Sequence, residues 1–299
     1  MQRSTLRGTP MPIRHRRRHL LAAFCLLALP AAAQQPPAPI TAGPRAGVSA
    51  EALGQGIARM LPHRAAYRLD LGEARNSGIT AVRGAMVFDV ADACEGWATR
   101  QRMTMTVVDR EGQEIETVSD YATYEAKDNS SLRFSLTQTT QGAVNQRVAG
   151  EAELKPDGSG TVRFSEPAGQ EETLPAGTLL PMRHTVLAVE AARAGQRLLA
   201  APLFDGTSNE GAQDTTTVIP SWTQPSGTPR FPLMSGAASG HMRIAFFERG
   251  AGGNGASQPE YEVGLRYYDN GIADEIVMDF GEFSVTGQAL ELSPLPGGC

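Results

Sequence analysis

Five stretches of the chain alternate with a period of two, the spacing that sends successive side chains to opposite faces of a strand. Met86, Phe88 and Val90 alternate with Val87 and Asp89, and Met103, Met105 and Val107 with Arg102, Thr104 and Thr106. Leu132, Phe134 and Leu136 alternate with Arg133, Ser135 and Thr137. Later come Met242, Ile244 and Phe246, then Tyr261, Val263, Leu265 and Tyr267. Such segments predict antiparallel strands with one face on a core and one in water. Asp269-Asn270-Gly271 stands between two runs and predicts a hairpin, with a type I′ turn as the expected geometry. Asp157-Gly158-Ser159-Gly160 predicts another tight turn, and 226–232, with Pro229 and Pro232, an irregular crossing.

Two segments read as helices. Ser49 caps a helix over about 50–60, with Glu51 near its positive end and Pro62 beyond it. Thr185 to Arg193 holds no Gly or Pro, and Gly195 follows as a C-cap, so a second helix is expected over about 184–194. No fixed-period repeat is present, which disfavours a propeller or solenoid. Many strands with one or two short helices imply a mainly β fold built on a strongly curved sheet, either a barrel or a spiral.

The N-terminus places this fold outside the cytoplasm. Arg14, Arg16, Arg17 and Arg18 precede an apolar run from Leu20 to Leu29, then Pro30 and three alanines ending at Ala33. That is the layout of a signal peptide over 1–33, cleaved between Ala33 and Gln34. About ten apolar residues are too few to cross a bilayer, which takes roughly 20. No later run is long enough, so no membrane span is expected. Cys25 lies inside the apolar run without a small-residue lipobox before it, so the leader does not read as a lipoprotein's. Residues 34–48 read as a Pro/Ala-rich disordered lead-in, and 49–299 as a single β domain.

Removing the leader changes both charge and cysteine count. Six arginines leave with it, so 27 basic residues become 21 against 32 acidic ones. A mature chain with a net charge of −11 repels nucleic acid and anionic headgroups. Of three cysteines, Cys94 and Cys299 remain, and an even pair in an exported protein reads as a disulfide. Such a bridge would bring the chain's last residue beside an early strand.

The search for reaction chemistry returns little. His63, His184 and His241 are dispersed without metal-ligand spacing, so no metal site or cofactor is expected. His63 and His184 follow Pro-containing turns and read as core or capping histidines. No nucleophile elbow, P-loop or dinucleotide fingerprint occurs. Gly250-Ala251-Gly252-Gly253 reads as a linker. The pairs Glu171-Glu172 and Asp274-Glu275 sit in polar, turn-like sequence and read as solvated faces. The chain is not recognisable as an enzyme; a hydrolase of envelope polymers would need one of the three histidines to meet a serine or carboxylate in a cleft. The apolar strand faces fill a core or line a cavity for an elongated apolar ligand, with Met86, Phe88, Met103, Met105, Phe134 and Phe246 as candidate lining.

One set of motifs runs through nearly the whole mature chain. It comprises Leu61-Pro62-His63-Arg64-Ala65 with Tyr67, Gly84-Ala85-Met86, Cys94-Glu95-Gly96-Trp97, and Tyr124-Glu125 followed by Leu132-Arg133-Phe134. Farther on come Leu174-Pro175-Ala176-Gly177-Thr178 with Pro181 and His184-Thr185, then Leu203-Phe204-Asp205-Gly206 and Pro259-Glu260-Tyr261-Glu262. Asn270-Gly271-Ile272 and Asp279-Phe280-Gly281-Glu282-Phe283 precede the final Cys299. In this order the set resembles the cell-envelope-integrity EipB-like family, periplasmic proteins of alphaproteobacteria. The resemblance implies a long, strongly bent antiparallel sheet, a β-spiral or open barrel, similar to lipoprotein carriers of the outer-membrane pathway. It maps the family's disulfide onto Cys94 and Cys299, and it brings no catalytic residues. Leu180, where an aromatic is expected, and the extended Gly-rich 250–258 loop depart from the pattern. The implied role is non-enzymatic support of envelope integrity, through an envelope protein or an apolar ligand; a lipid or lipoprotein carrier is the alternative.

Overall fold

The computed structural model describes residues 47–75, 78–249 and 258–297. The chain begins with α1 (Ala50–Arg59). A run of strands follows: β1 (His63–Ala74), β2 (Ile79–Asp92), β3 (Gly96–Asp109), β4 (Glu114–Ala126), β5 (Ser131–Thr140), β6 (Ala143–Leu154), β7 (Gly160–Glu166) and β8 (Glu171–Leu174). Helix α2 (Pro181–Arg193) leads into β9 (Leu198–Leu203), β10 (Gln213–Val218), β11 (Ser239–Phe247), β12 (Tyr261–Tyr268), β13 (Ala273–Asp279) and β14 (Phe283–Pro294).

All fourteen strands form one antiparallel sheet in the order β8-β7-β6-β5-β4-β3-β2-β1-β14-β13-β12-β11-β10-β9. The fold is mainly β, as the alternation implied. Two meanders meet where β14 pairs with β1, from His63 opposite Pro294 to Ala74 opposite Phe283. The sheet does not close, since β8 and β9 remain its edges. Leu179, just past β8, is hydrogen-bonded to β9: its N–H donates to Pro202 O (2.8 Å), and its carbonyl accepts from Phe204 N–H (3.0 Å).

The inward positions that the alternation predicts are buried or half-buried, and β1 adds an alternating run of its own. Ala65, Tyr67 and Leu69 on β1 and Leu132, Phe134 and Leu136 on β5 are buried, with Arg64, Arg68, Arg133 and Ser135 exposed between them. The interior of the bend is occupied by α2, whose Ala188, Val189, Ala191 and Ala192 pack with Tyr67, Met86, Leu199, Met242 and Leu265. A helix hidden on most sides needs an all-round apolar surface, and eight of its residues are buried. The second wall, β5 to β8, packs on Leu180, Phe204 and Ala212 instead.

Several expectations need adjustment. Ser49 does cap α1, accepting from Ala52 N–H at 3.1 Å. Helix α2 begins at Pro181, a turn before the predicted start, because its N-terminus is capped from another strand. The β12–β13 turn is not type I′: Gly271 is in the left-handed region (φ 82°), and Asn270 is not among the residues with positive φ. Asn270 instead donates through Nδ2 to Leu233 O (2.8 Å), tying the turn to the crossing between β10 and β11.

Candidate functional site

The site is built from the inner face of the sheet and the helix seated on it. Helix α2 has no side-chain cap at Leu180. Its first turn is held by the β4–β5 hairpin. Glu125 accepts the backbone N–H groups of Met182 and Arg183, each at 2.7 Å, and Asn129 Oδ1 accepts that of Leu180 at 2.9 Å. A carboxylate at a helix N-terminus meets unsatisfied donors and the positive end of the dipole. Burial nevertheless pushes the Glu125 carboxyl up to about 8, against the pull of those two bonds and of Arg183. Deeper in the helix, His184 is buried with Nε2 3.0 Å from Thr217 Oγ1, and burial lowers its pKa to about 4.

With α2 in place, the inner face is sealed towards the end where Met60, Val90, Trp97, Met182 and Val186 cluster. Towards the β1–β2, β3–β4 and β13–β14 hairpins it is less covered. Met103, Met105 and Val107 on β3 are only partly buried, as are Val263, Met278 and Phe283 on the facing strands. Ile115, opposite Val107 in the ladder, is 45% exposed. The result is an apolar mouth at one end of the bend.

The six candidate lining residues do not share one cavity. Met86, Phe88, Met103 and Met105 belong to the cluster around α2, with Met86 buried beneath the helix. Phe134 belongs to the second wall, edge-on to Phe164 and Phe204 with ring centroids 5.8 and 5.4 Å away. Phe246 stacks on Tyr261 at 4.3 Å in a third cluster. Only Met103 and Met105 of the six lie along the mouth.

His63 and His184 are buried and hydrogen-bonded, as read. His63 Nδ1 lies 2.7 Å from Leu61 O, and exposed His241 pairs with Glu275 at 2.7 Å. None of these bonds is to a serine, and the carboxylate that His241 meets, Glu275, lies on an exposed face outside both surface clefts. The reading of Asp274-Glu275 as a solvated pair holds for Glu275 alone. Asp274 is 1% exposed, accepting from Arg230 (3.0 Å) and from Ala289 N–H (2.9 Å). A carboxylate answered by an arginine 44 residues away leaves no local sequence signal. Among the described residues no cluster of His, Cys, Asp and Glu could hold a metal ion, and no helix is long and apolar enough to cross a membrane. Ala33, Gln34 and Cys299, with the Gly250–Gly253 linker, lie outside the described residues.

Surface clefts among the described residues lie elsewhere. One, of about 420 Å³, lies over β2 to β5 and is lined by Val87, Asp89, Arg100, Arg102, Asp120 and Ser135 among others. The other, of about 240 Å³, is bounded by Arg75, Arg243, Tyr261 and Asp279. Charged side chains line both, and neither is the apolar mouth.

The family model described as EipB-like matches residues 55–296, nearly all of the fold just described. The chain belongs to the EipB-like family. It is 31% identical over 254 residues to the cell envelope integrity protein EipB of Brucella abortus (strain 2308), covering 83% of this chain and 89% of that protein. It also matches the crystal structure of a β-barrel-like protein of domain of unknown function DUF1849 from Brucella abortus. That match has a TM-score of 0.71 at 29% identity, over 80% of this chain and 99% of the other. The resemblance carried by the ordered motifs is thus borne out along the chain. The relationship supports a role in cell-envelope integrity, and the family is named for that role and not for an enzymatic activity.

Proposed function

We propose that this EipB-like protein is exported to the periplasm and supports envelope integrity by binding, without catalysis, and that the apolar mouth is where an apolar ligand enters. The mouth carries the reading: Met103, Met105, Val107, Val263, Met278 and Phe283 face inward yet are incompletely covered. Apolar side chains left uncovered side by side mark interaction sites more often than scattered ones do. Flexible Met side chains suit a ligand of variable shape. The reading includes a signal peptide removed after Ala33 and a bridge from Cys94 to Cys299. The pairing is supported by the path of the chain end. Leu295 N–H donates to Pro62 O (3.1 Å), and His63 stands between Pro294 and Val90, so β14 runs out beside the β2–β3 turn that bears Cys94.

Native mass spectrometry of protein purified from the periplasm without reductant tests the reading. The expected species starts at Gln34, weighs two hydrogens less than the reduced chain and carries a lipid-sized adduct. The adduct should be lost in Met105→Trp, which fills the mouth. The oxidised mass without any adduct, together with no binding of the apolar dye N-phenyl-1-naphthylamine, would move the role to protein contacts alone.

A further inference from the structure

The outer face of the sheet carries a groove that the apolar mouth does not involve. Its floor is Val87, Ala122, Ser135 and Thr137, short side chains on β2, β4 and β5. Arg100 and Arg102 on β3 rise beside it, and Arg147 on β6 stands opposite Thr137 in the ladder. The two carboxylates that line the groove are already engaged. Asp89 accepts Nε and an Nη of Arg64 at 2.7 and 2.6 Å, and both oxygens of Asp120 accept from Arg102 at 2.7 and 2.8 Å. Among the described residues, Arg100 and Arg147 have neither an ion pair nor a side-chain hydrogen bond; Asp89, opposite Arg100 in the ladder, attracts it through space but gives its oxygens to Arg64. Four guanidinium groups (Arg64, Arg100, Arg102 and Arg147) therefore meet two carboxylates, and the local charge is positive on a chain whose net charge is −5. From the β3 arginines to Arg147 is three strand spacings, about 14 Å. That matches two charged positions on one extended chain, not a single small anion.

We propose that this groove is a docking surface for an extended acidic peptide segment of a partner protein. Its carboxylates would pair with Arg100 and Arg147, and its backbone would lie over the short side chains between them. Guanidinium groups with no hydrogen-bonded carboxylate keep their planar donor fork available for carboxylate recognition. A local sign opposite to the overall charge directs an acidic partner to this face.

The test uses the intact exported protein and a fluorescein-labelled octaglutamate peptide, followed by anisotropy at low and at physiological salt. The wild type should bind with an affinity that falls as salt rises. Arg100→Glu with Arg147→Glu should weaken binding at least tenfold while leaving the melting temperature unchanged, because both side chains are exposed. Arg110→Glu, which reverses an exposed arginine on the β3–β4 turn outside the groove, should bind as the wild type does. The proposal is overturned if the wild type does not bind the peptide at low salt, or if Arg110→Glu weakens it as much as the groove variant. It is equally overturned if phosphatidylglycerol vesicles, and not the peptide, bind in a manner abolished by the groove reversal. None of these outcomes depends on whether the apolar mouth holds a ligand.

Discussion

The carboxyl group of Glu125 accepts the backbone N–H of Met182 at 2.7 Å, so a strand side chain caps a helix 57 residues farther along the chain. The same group takes the N–H of Arg183. Helix α2 is therefore seated by β4 and not by its own preceding residue.

Removing that carboxyl group should be costly. Glu125→Ala leaves two main-chain donors without a partner beneath the β4–β5 hairpin, at about 1–3 kcal/mol each. A loss of about 2–5 kcal/mol in urea unfolding is expected, with Glu125→Gln intermediate because one amide oxygen remains. A change below about 1 kcal/mol would mean that water or another group takes over the cap.

The two buried titratable groups at α2 predict a stability profile with three regimes. For Glu125 the folded pKa, about 8, lies above the ordinary 4.5. The folded state then holds a proton that the unfolded state has lost, so this group raises stability as pH falls from 8 towards 4.5. For His184 the folded value, about 4, lies below 6.5. The unfolded state gains the proton first, so this group lowers stability as pH falls from 6.5 towards 4. Together they predict a rise from pH 8 to 6.5, near cancellation down to 4.5, and a fall below it. Denaturation midpoints across this range should lose the first limb in Glu125→Gln and show a shallower acid-side fall in His184→Asn, the remainder belonging to buried His63 and to carboxylates such as Asp89 and Asp279 that ion pairing holds below their ordinary pKa.

Arg230, itself exposed, is the charge partner of the buried Asp274. Arg230→Ala leaves the Asp274 carboxylate almost fully buried with only the Ala289 N–H, and should cost about 3 kcal/mol. Adding Asp274→Asn removes the stranded charge, so the double variant should lose less than the two single losses combined. Additive losses in thermal melts would show that the two residues act separately.

Reduction tests the proposed Cys94–Cys299 bridge. It would close a loop of about 205 residues, for which chain entropy gives roughly 5 kcal/mol as an upper figure. Dithiothreitol should lower the melting temperature of the wild type and leave Cys94→Ser unchanged. Equal melting with and without reductant would remove the bridge from the account of this fold.

Much of the architecture was legible because the inner face of the sheet is apolar at every second residue, as along Leu132, Phe134 and Leu136. What escaped did so for local reasons. Strand β9 reads Leu-Leu-Ala-Ala-Pro-Leu and has no alternation to detect. Strand β10 hides Thr215 and Thr217, whose hydroxyls are satisfied by Ala201 O and His184, so its inward side looks polar. The start of α2 and the burial of Asp274 depend on Glu125 and Arg230, partners supplied only by the tertiary fold. For the mouth, the sequence named Met103 and Met105 but could not separate them from Met86 and Phe134, which share their pattern and lie in filled core.

The pairing of β1 with β14 also bears on how the protein is assembled. Each meander can form from contacts between neighbours in sequence. The seam joining them unites the first strand with the last, so it must wait until almost the entire polypeptide is present. Long-range closure of this kind slows folding. Until it happens, both edges of that seam, with the apolar face behind them, stay open to other chains. A chain that emerges N-terminus first would thus carry β1 paired with β2 on one side but open on its β14 side through nearly all of its appearance, and holding factors would have their longest opportunity to act on that edge.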